Sequence, residues 1–407
     1  MGRARATITT LAAPAMHGRG YVNKGERKAA HYIAQRFKGL GLRSFTPHYT
    51  QPFTVAINTF PGSCALLIDE REFTCGVDFI LEPTSGSGRV KGPLLPLDTL
   101  IFTDESAGQR FLDQSLQGMV LVMRQRDAER IRTLPDAFAH HLEQAAALIT
   151  LVPDKLTASL ASQQVAQARL QVLASRWPAK SKQAAIKVDA RLRPDYPTQN
   201  VIGYVPGRIQ PDSFLLVSAH YDHLGQMGNS TYFPGANDNA SGTALLLELA
   251  AYYARPENQP AYSVVFLAFG AEEAGLLGSS RFVQHPLFPL ERVRFLINLD
   301  LEGTGQDGIT VVNGRLLESQ FKILEQLNTQ HHYVNAIAAR GRAANSDHYP
   351  FSERGTPAFF LYTRGGSKAY HDVYDKPEAL TLTGFAGVFR LVIDFFQILS
   401  SDKLTNK

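Results

Sequence analysis

Cysteine is nearly absent. Cys64 and Cys75 are the only two in 407 residues, which excludes a disulfide-built scaffold. They flank residues 65–74, which read as a hairpin turning near Asp69 and Glu70. That symmetry predicts the two thiols opposite each other, within disulfide reach and consistent with an oxidising compartment; two unrelated buried thiols are the alternative. An excess of one charge is also missing, with 41 basic against 37 acidic residues and a net charge of +4. Basic runs such as Arg340-Gly341-Arg342 are short and lack interleaved aromatics, which excludes a nucleic-acid surface. No stretch approaches the ~20 apolar residues of a membrane helix. Residues 1–16 carry Arg3 and Arg5 before a brief apolar run ending at Pro14, too short and polar for a signal-peptide core. The expectation is a cytoplasmic protein or one whose leader is absent from this chain. Internal repeats and low-complexity tracts are lacking, which excludes solenoids.

What is present is an ordinary folded composition, 44% hydrophobic and 19% charged. The length implies one large domain with an insert or second domain. Residues 25–41 read as an amphipathic helix with Ala30, Ile33, Ala34 and Phe37 on one face and glycines at its end. From about residue 51 short β-like runs take over: 53–57, 64–68 and 73–80. A buried strand is predicted at 119–123, a helix at 137–147, a strand at 148–152 and a mostly helical stretch at 155–177. Residues 178–182 and 193–197 read as linkers. From Asn200 the pattern changes to short apolar strands (201–205, 214–219, 263–269, 294–299, 357–362). These alternate with helices (242–254, 275–283, 316–328, 380–399). That alternation predicts an α/β fold with a mixed, mostly parallel central sheet covered by helices on both faces. The domain division expected is 1–50 and 196–407 for this domain, with a smaller β-rich insert at 51–195.

The chemistry lies at the ends of those strands, where open α/β sheets place their sites. His220-Tyr221-Asp222 follows one run, Glu272-Glu273 the next, Asp300 another, and His371 comes after the last. Asp238 sits in the loop Gly235-Ala236-Asn237-Asp238-Asn239-Ala240-Ser241-Gly242 that opens a helix. Imidazole and carboxylate are zinc ligands. His220, Asp238, Glu273, Asp300 and His371 can hold two zinc ions, with Asp238 bridging and one histidine terminal on each. Asp222 is placed to orient the His220 ring. Glu272 is left free beside the metals as a proton shuttle, and Tyr370 could donate to a developing oxyanion. Each residue alone has a plainer reading as surface, cap or packing; the consistent order at one sheet edge favours the joint site.

The order His-x-Asp, Asn-Asp-Asn-Ala-Ser-Gly, Glu-Glu, Asn-x-Asp, His resembles the M28 family of zinc aminopeptidases, as does Ser346-Asp347-His348-Tyr349-Pro350-Phe351, over about residues 198–390. The helix at 25–41 resembles the family's N-terminal portion, and residues 50–195 resemble a protease-associated (PA-like) insert. The resemblance implies ligands His220, Asp238 (bridging), Glu273, Asp300 and His371, two zinc ions per chain, Glu272 as general base and Asp222 as partner of His220. A metal-activated bridging water would attack the scissile carbonyl of peptides with a free N-terminus. It also implies a non-proline cis peptide after Asp238, and makes Asp347 and His348 near-site candidates. Family members are commonly exported, so a secreted or periplasmic protein is expected. Two departures concern the substrate pocket: Leu301-Glu302 after Asp300, and the sequence around His371. Open alternatives are a single-zinc glutaminyl cyclase-like enzyme, a metallocarboxypeptidase using Arg340, Arg342 or Arg364, and a non-catalytic binding module.

Overall fold

Apolar runs buried on both faces form the centre of the larger sheet in this computed structural model, which describes residues 1–401. In chain order its strands are β1 (Thr50–Thr59), β2 (Arg191–Val205), β3 (Gln210–His220), β4 (Tyr262–Phe269), β5 (Val293–Leu299), β6 (Ile309–Val312), β7 (Ile337–Ala339) and β8 (Ala358–Thr363). They lie side by side as β1-β2-β4-β3-β5-β8-β6-β7. Strands β4, β3, β5 and β8 run parallel, while β2 and β6 are antiparallel to β4 and β8. This is the mixed, mostly parallel sheet that the alternating apolar runs predict.

Its helices are α1 (Gly2–Leu11), α2 (Gly25–Gly39), α3 (Gly242–Tyr253), α4 (Leu277–Gln284), α5 (Glu318–His331), α6 (His348–Glu353) and α7 (Phe385–Leu399). Side chains alternate along the strands between two cores, as a period of two requires. Leu215, Val217 and Ala219 of β3 join Val264, Phe266 and Ala268 of β4 under α1, α2, α3, α5 and α7. Leu216 joins Val265, Leu267 and Phe269 under Phe282 of α4 and Phe351 of α6. The register sets Ala219 beside Ala268, Ser218 beside Asn298 and Leu299 beside Leu361. The carboxyl ends of the four parallel strands therefore finish level, and whatever follows them in sequence emerges at one edge.

The chain divides into two units. One holds Met1–Val55, Tyr196–Gly225 and the residues from Phe233 onward; the other holds Ala56–Asp195 and Gln226–Tyr232. The second unit has its own eight-stranded sheet. Gly88–Pro96, Val120–Arg124, Ala147–Val152 and Ala168–Leu173 run parallel in its middle. Gln183–Val188, Cys64–Ile68 and Arg71–Phe73 extend one side antiparallel, and Phe79–Leu81 the other. Cys64 and Cys75 stand across the hairpin that turns after Ile68, with both thiols free and their sulfurs 2.9 Å apart.

Several local readings change. The stretch 155–177 is not mostly helical; apart from a 3-10 turn at Ala174–Arg176 it contains the strand Ala168–Leu173, whose side chains alternate buried and half-buried. Its Ala/Gln/Leu composition favours helix, but the period of two and a parallel partner in Ala147–Val152 decide the outcome. Residues 193–197 are not a linker but the interior of β2, where Pro194 and Pro197 precede the residues paired to β4, which begin at Val201. The run 73–80 breaks into two strands at opposite edges of the second sheet. Residues 2–11 form α1, burying Ala4, Thr7, Ile8 and Leu11 at helical spacing. The closing helix starts at Phe385 rather than 380.

Glu26, in the first turn of α2, is fully buried, with Arg27 Nε 3.7 Å from its carboxylate and Lys24 nearby, neither offsetting its burial. Burial pushes its carboxyl up from 4.5 to about 7. The folded state thus holds this proton more tightly than the unfolded chain, and the stability it contributes below pH 4.5 is lost as pH rises through 7. Glu26→Gln is expected to match the parent at pH 4.5 and to be more stable by roughly 3 kcal/mol at pH 8. Urea unfolding at the two pH values measures this, and an equal difference at both would contradict it.

Candidate metal centre

The level strand ends deliver the side chains. His220 is the last residue of β3. Asp300 follows β5 directly, its N–H bonded to the Leu361 carbonyl of β8 at 3.2 Å. Glu272 and Glu273 follow β4 after Gly270 and Ala271. His371 stands beyond β8 with a positive φ of 54°. Asp238 comes from the tight turn Ala236–Ser241 that leads into α3. Its peptide bond to Asn239 is cis. Gly235 enters that turn at φ 57°, and a Cβ there would sit 2.3 Å from the Asp238 carbonyl oxygen and 2.4 Å from the His223 ring. Only glycine allows this approach.

All five sequence-derived ligand candidates converge. Asp238 faces two imidazoles at once: Oδ1 lies 3.3 Å from His220 Nε2 and Oδ2 lies 3.1 Å from His371 Nε2. Asp300 Oδ1 is 3.4 Å from His220 Nε2, and Glu273 Oε2 is 3.2 Å from His371 Nε2. Two donor sets, His220–Asp238–Asp300 and His371–Asp238–Glu273, thus share one carboxylate. Ligand atoms of His220, Asp238 and Glu273 also fall within 4.8 Å of one another, as do those of His220, Glu272 and Asp300.

The two unshared carboxylates each have one oxygen tied back. Ser218 Oγ donates to Asn298 Oδ1 at 2.7 Å, Asn298 Nδ2 donates to Ser346 Oγ at 2.8 Å, and Ser346 Oγ donates to Asp300 Oδ2 at 2.8 Å. This relay leaves Asp300 Oδ1 free toward His220. Glu273 Oε1 is held by His223 Nδ1 at 2.6 Å, leaving Oε2 toward His371. The donor types fit zinc. His220 Nε2 and Asp300 Oδ1, facing each other, are buried without a hydrogen-bond partner, and such orphaned atoms call for an ion or water to satisfy them.

Electrostatics separates the carboxylates. Burial disfavours ionised Asp238, but the His220 and His371 imidazoles overcome it and hold its carboxyl well below the usual range. Burial likewise opposes ionised Glu273, while His223 and His371 hold it at about 2. Glu272 goes the other way, because burial and the charges of Asp347, Glu273 and Asp300 outweigh His220 and push it well up. Burial also works against a charged His371, yet Asp238 and Glu273 raise it to about 11.

The remaining candidates are placed as follows. Glu272 Oε2 is 4.0 Å from His220 Nε2, and its N–H donates to Asp222 Oδ1 at 3.1 Å. His220 Nδ1 meets Asp222 through the main-chain carbonyl at 3.2 Å, with the carboxylate at 3.8 Å. Tyr370 is half exposed and stacks on His371, ring centroids 4.0 Å apart. Asp347 is buried and its charge acts on Glu272, whereas His348 packs against Phe360. Of the arginines considered for a carboxylate, Arg342 pairs with Glu353 and Arg364 donates to the Asp307 carbonyl. Arg340 follows β7, which parallels β6 and so ends opposite the His220 edge.

Two residues escaped the sequence reading. His223, three after His220, grips Glu273. Asp375, four after His371, accepts from the Asn237 N–H at 2.8 Å and the Asp238 N–H at 3.0 Å, tying the His371 segment to the Asp238 turn. Both lie beside recognised motifs, but their burial and direction are not visible in sequence.

Asp238→Asn is expected to lower zinc stoichiometry below that of the parent protein. His223→Ala is expected to keep the stoichiometry and weaken affinity by about 10–100-fold. Equilibrium dialysis with metal analysis reads both; parental zinc content in Asp238→Asn would contradict the shared-carboxylate geometry.

Peptidase family M28 matches this chain over residues 200–396. Aminopeptidase YwaD of Bacillus subtilis (strain 168) is 32% identical over 202 residues, 48% of this chain and 42% of its own length. A vacuolar membrane protease of Lodderomyces elongisporus is 26% identical over 213 residues, 51% of this chain and 21% of its own length. The match therefore spans less than half the length of these curated relatives. Among solved structures, the zinc aminopeptidase BSAP from Bacillus subtilis shares the fold with a TM-score of 0.71 at 23% identity, covering 97% of this chain and 94% of its own. A Peptidase M28 precursor from Shewanella amazonensis SB2B gives 0.70 at 16% identity over 99% and 94%. The residues matched to the peptidase family M28 model, 200–396, contain all five candidate ligands.

Proposed function

We propose that this protein is a di-zinc aminopeptidase that removes N-terminal residues from peptides. The observation that carries the reading is the Asp238 carboxylate, one oxygen toward each histidine, with Asp300 and Glu273 each presenting one further oxygen. His220, Asp238 and Asp300 would hold one ion, and His371, Asp238 and Glu273 the other. Zinc bound there lowers the pKa of a water and polarises a carbonyl.

The chain's own residues divide the remaining work. Glu272 is the general base: its Oε2 lies 4.0 Å from His220 Nε2, beyond bonding distance, and its raised carboxyl pKa is the sense that proton exchange near neutral pH requires. It takes a proton from the attacking water and returns it to the leaving amine. Asp222 positions Glu272 by accepting its main-chain N–H and meets the His220 ring through its carbonyl. Tyr370, stacked on His371, is assigned to the developing oxyanion. The free amine of the substrate is assigned to the carboxylates Glu272 or Asp300. The 51–195 unit is read as a PA-like insert, and the protein as an exported one.

The experiment is hydrolysis of a panel of aminoacyl-4-nitroanilides with and without chelator. Activity is expected, abolished by chelation and restored by zinc. Glu272→Gln is expected to reduce turnover by about 10²–10⁴-fold with zinc content unchanged. Near-parental rates in that variant would remove Glu272 from the mechanism.

A further inference from the structure

Gly18-Arg19-Gly20 threads between the two loops of the metal centre. The Gly225 N–H donates to the Gly18 carbonyl at 3.0 Å and the His223 N–H to the Arg19 carbonyl at 3.2 Å. Contact is close enough that a Cβ on Gly18 would lie 2.3 Å from the Gly225 carbonyl oxygen, and one on Gly20 2.3 Å from the Gly225 Cα. Arg19, between them, is completely buried and has a positive φ of 49°.

A guanidinium has five N–H donors in a fixed fork, and here every one is committed to a main-chain carbonyl. Nε donates to Tyr221 at 2.8 Å. One terminal nitrogen donates to Leu11 at 3.1 Å and Pro234 at 2.7 Å. The other donates to Gly235 at 2.7 Å and Asp238 at 3.1 Å. Three acceptors thus belong to the segment ending at Asp238, one to the residue between His220 and Asp222, and one to the end of α1. None is a carboxylate. A buried arginine usually finds an acidic partner; this one is held by peptide oxygens, while Asp238, Asp375, Asp222 and Glu273 surround it at longer range.

We propose that Arg19 is the positioning residue of the metal centre: by fixing the Pro234–Asp238 backbone against Tyr221 it aims the Asp238 carboxylate between His220 and His371, and so sets zinc affinity. This rests on the ligand assignment above. Lysine cannot substitute, since it has three donors and no fork. Hydrogen bonding and charge act in opposite senses here. A nearby cation disfavours a bound divalent ion, so an arginine acting by charge alone would weaken zinc binding, and its neutralisation would tighten it. Loss of aim weakens binding instead.

The test compares zinc affinity, by competition with a chromogenic chelator, in the parent, Arg19→Gln, Arg19→Lys and Leu391→Ala. The last lies in the α7 core and serves as a control for lost stability alone. Thermal unfolding with and without zinc is recorded for each. Arg19→Gln and Arg19→Lys are expected to weaken zinc binding by about 10–100-fold, while Leu391→Ala lowers the melting temperature with affinity unchanged. Arg19→Lys keeps the buried cation and part of the bonding, and so gives the reading should Arg19→Gln not fold. Parental or tighter zinc affinity in the folded Arg19 variants overturns the inference, as does an equal loss in Leu391→Ala. A parent that binds no zinc overturns the proposed function instead.

Discussion

The centre is governed by one constraint: several carboxylates must share a small buried volume at the edge of a sheet. Taking ionised carboxylates out of water costs several kcal/mol each unless each meets a compensating charge or donor. Asp238 resolves this by dividing its two oxygens between His220 and His371. Asp300 and Glu273 resolve it by giving one oxygen to the protein, through Ser346 and His223, and presenting the other. Glu272, with no imidazole in bonding contact, instead has its carboxyl pKa pushed well up. The opposite shifts of the two adjacent glutamates thus follow from what each one touches.

The fold serves this constraint by levelling the ends of β4, β3, β5 and β8. Parallel pairing makes every carboxyl end face the same way, and the register places His220, Asp300 and the Glu272-Glu273 turn within a few ångströms. Asp238 cannot come from a strand end, because it must lie between the two histidines. It is carried on a separate turn, held from below by Arg19 and from the side by Asp375. The supports of the shared ligand therefore come from residues distant in sequence, at positions 19 and 375.

Much was legible in the sequence because it is periodic or local. The apolar runs of β3, β4, β5 and β8 are dictated by burial on both faces, and the candidate ligands His220, Glu273, Asp300 and His371 each come at or after the end of one of them, so both could be read from the chain order. The second unit was harder. Its strand Ala168–Leu173 has the composition of a helix and is set by its neighbour Ala147–Val152, and Pro194 and Pro197 look like a linker although they lie within β2. The short ribbon Gln226–Tyr232, which joins the second unit although it lies between His220 and Asp238, gives no sign of this in its residues.

By itself the sequence determined the candidate ligand types and the alternating α/β order, since both follow from side-chain chemistry and period. The tertiary structure decided which oxygen of each carboxylate is free, that His223 and not solvent holds Glu273, and that five peptide oxygens from three separate segments close on Arg19. Those are questions of direction and distance between segments far apart in the chain. Spacing along a sequence carries no information about them until the strands have paired and the loops have been brought together.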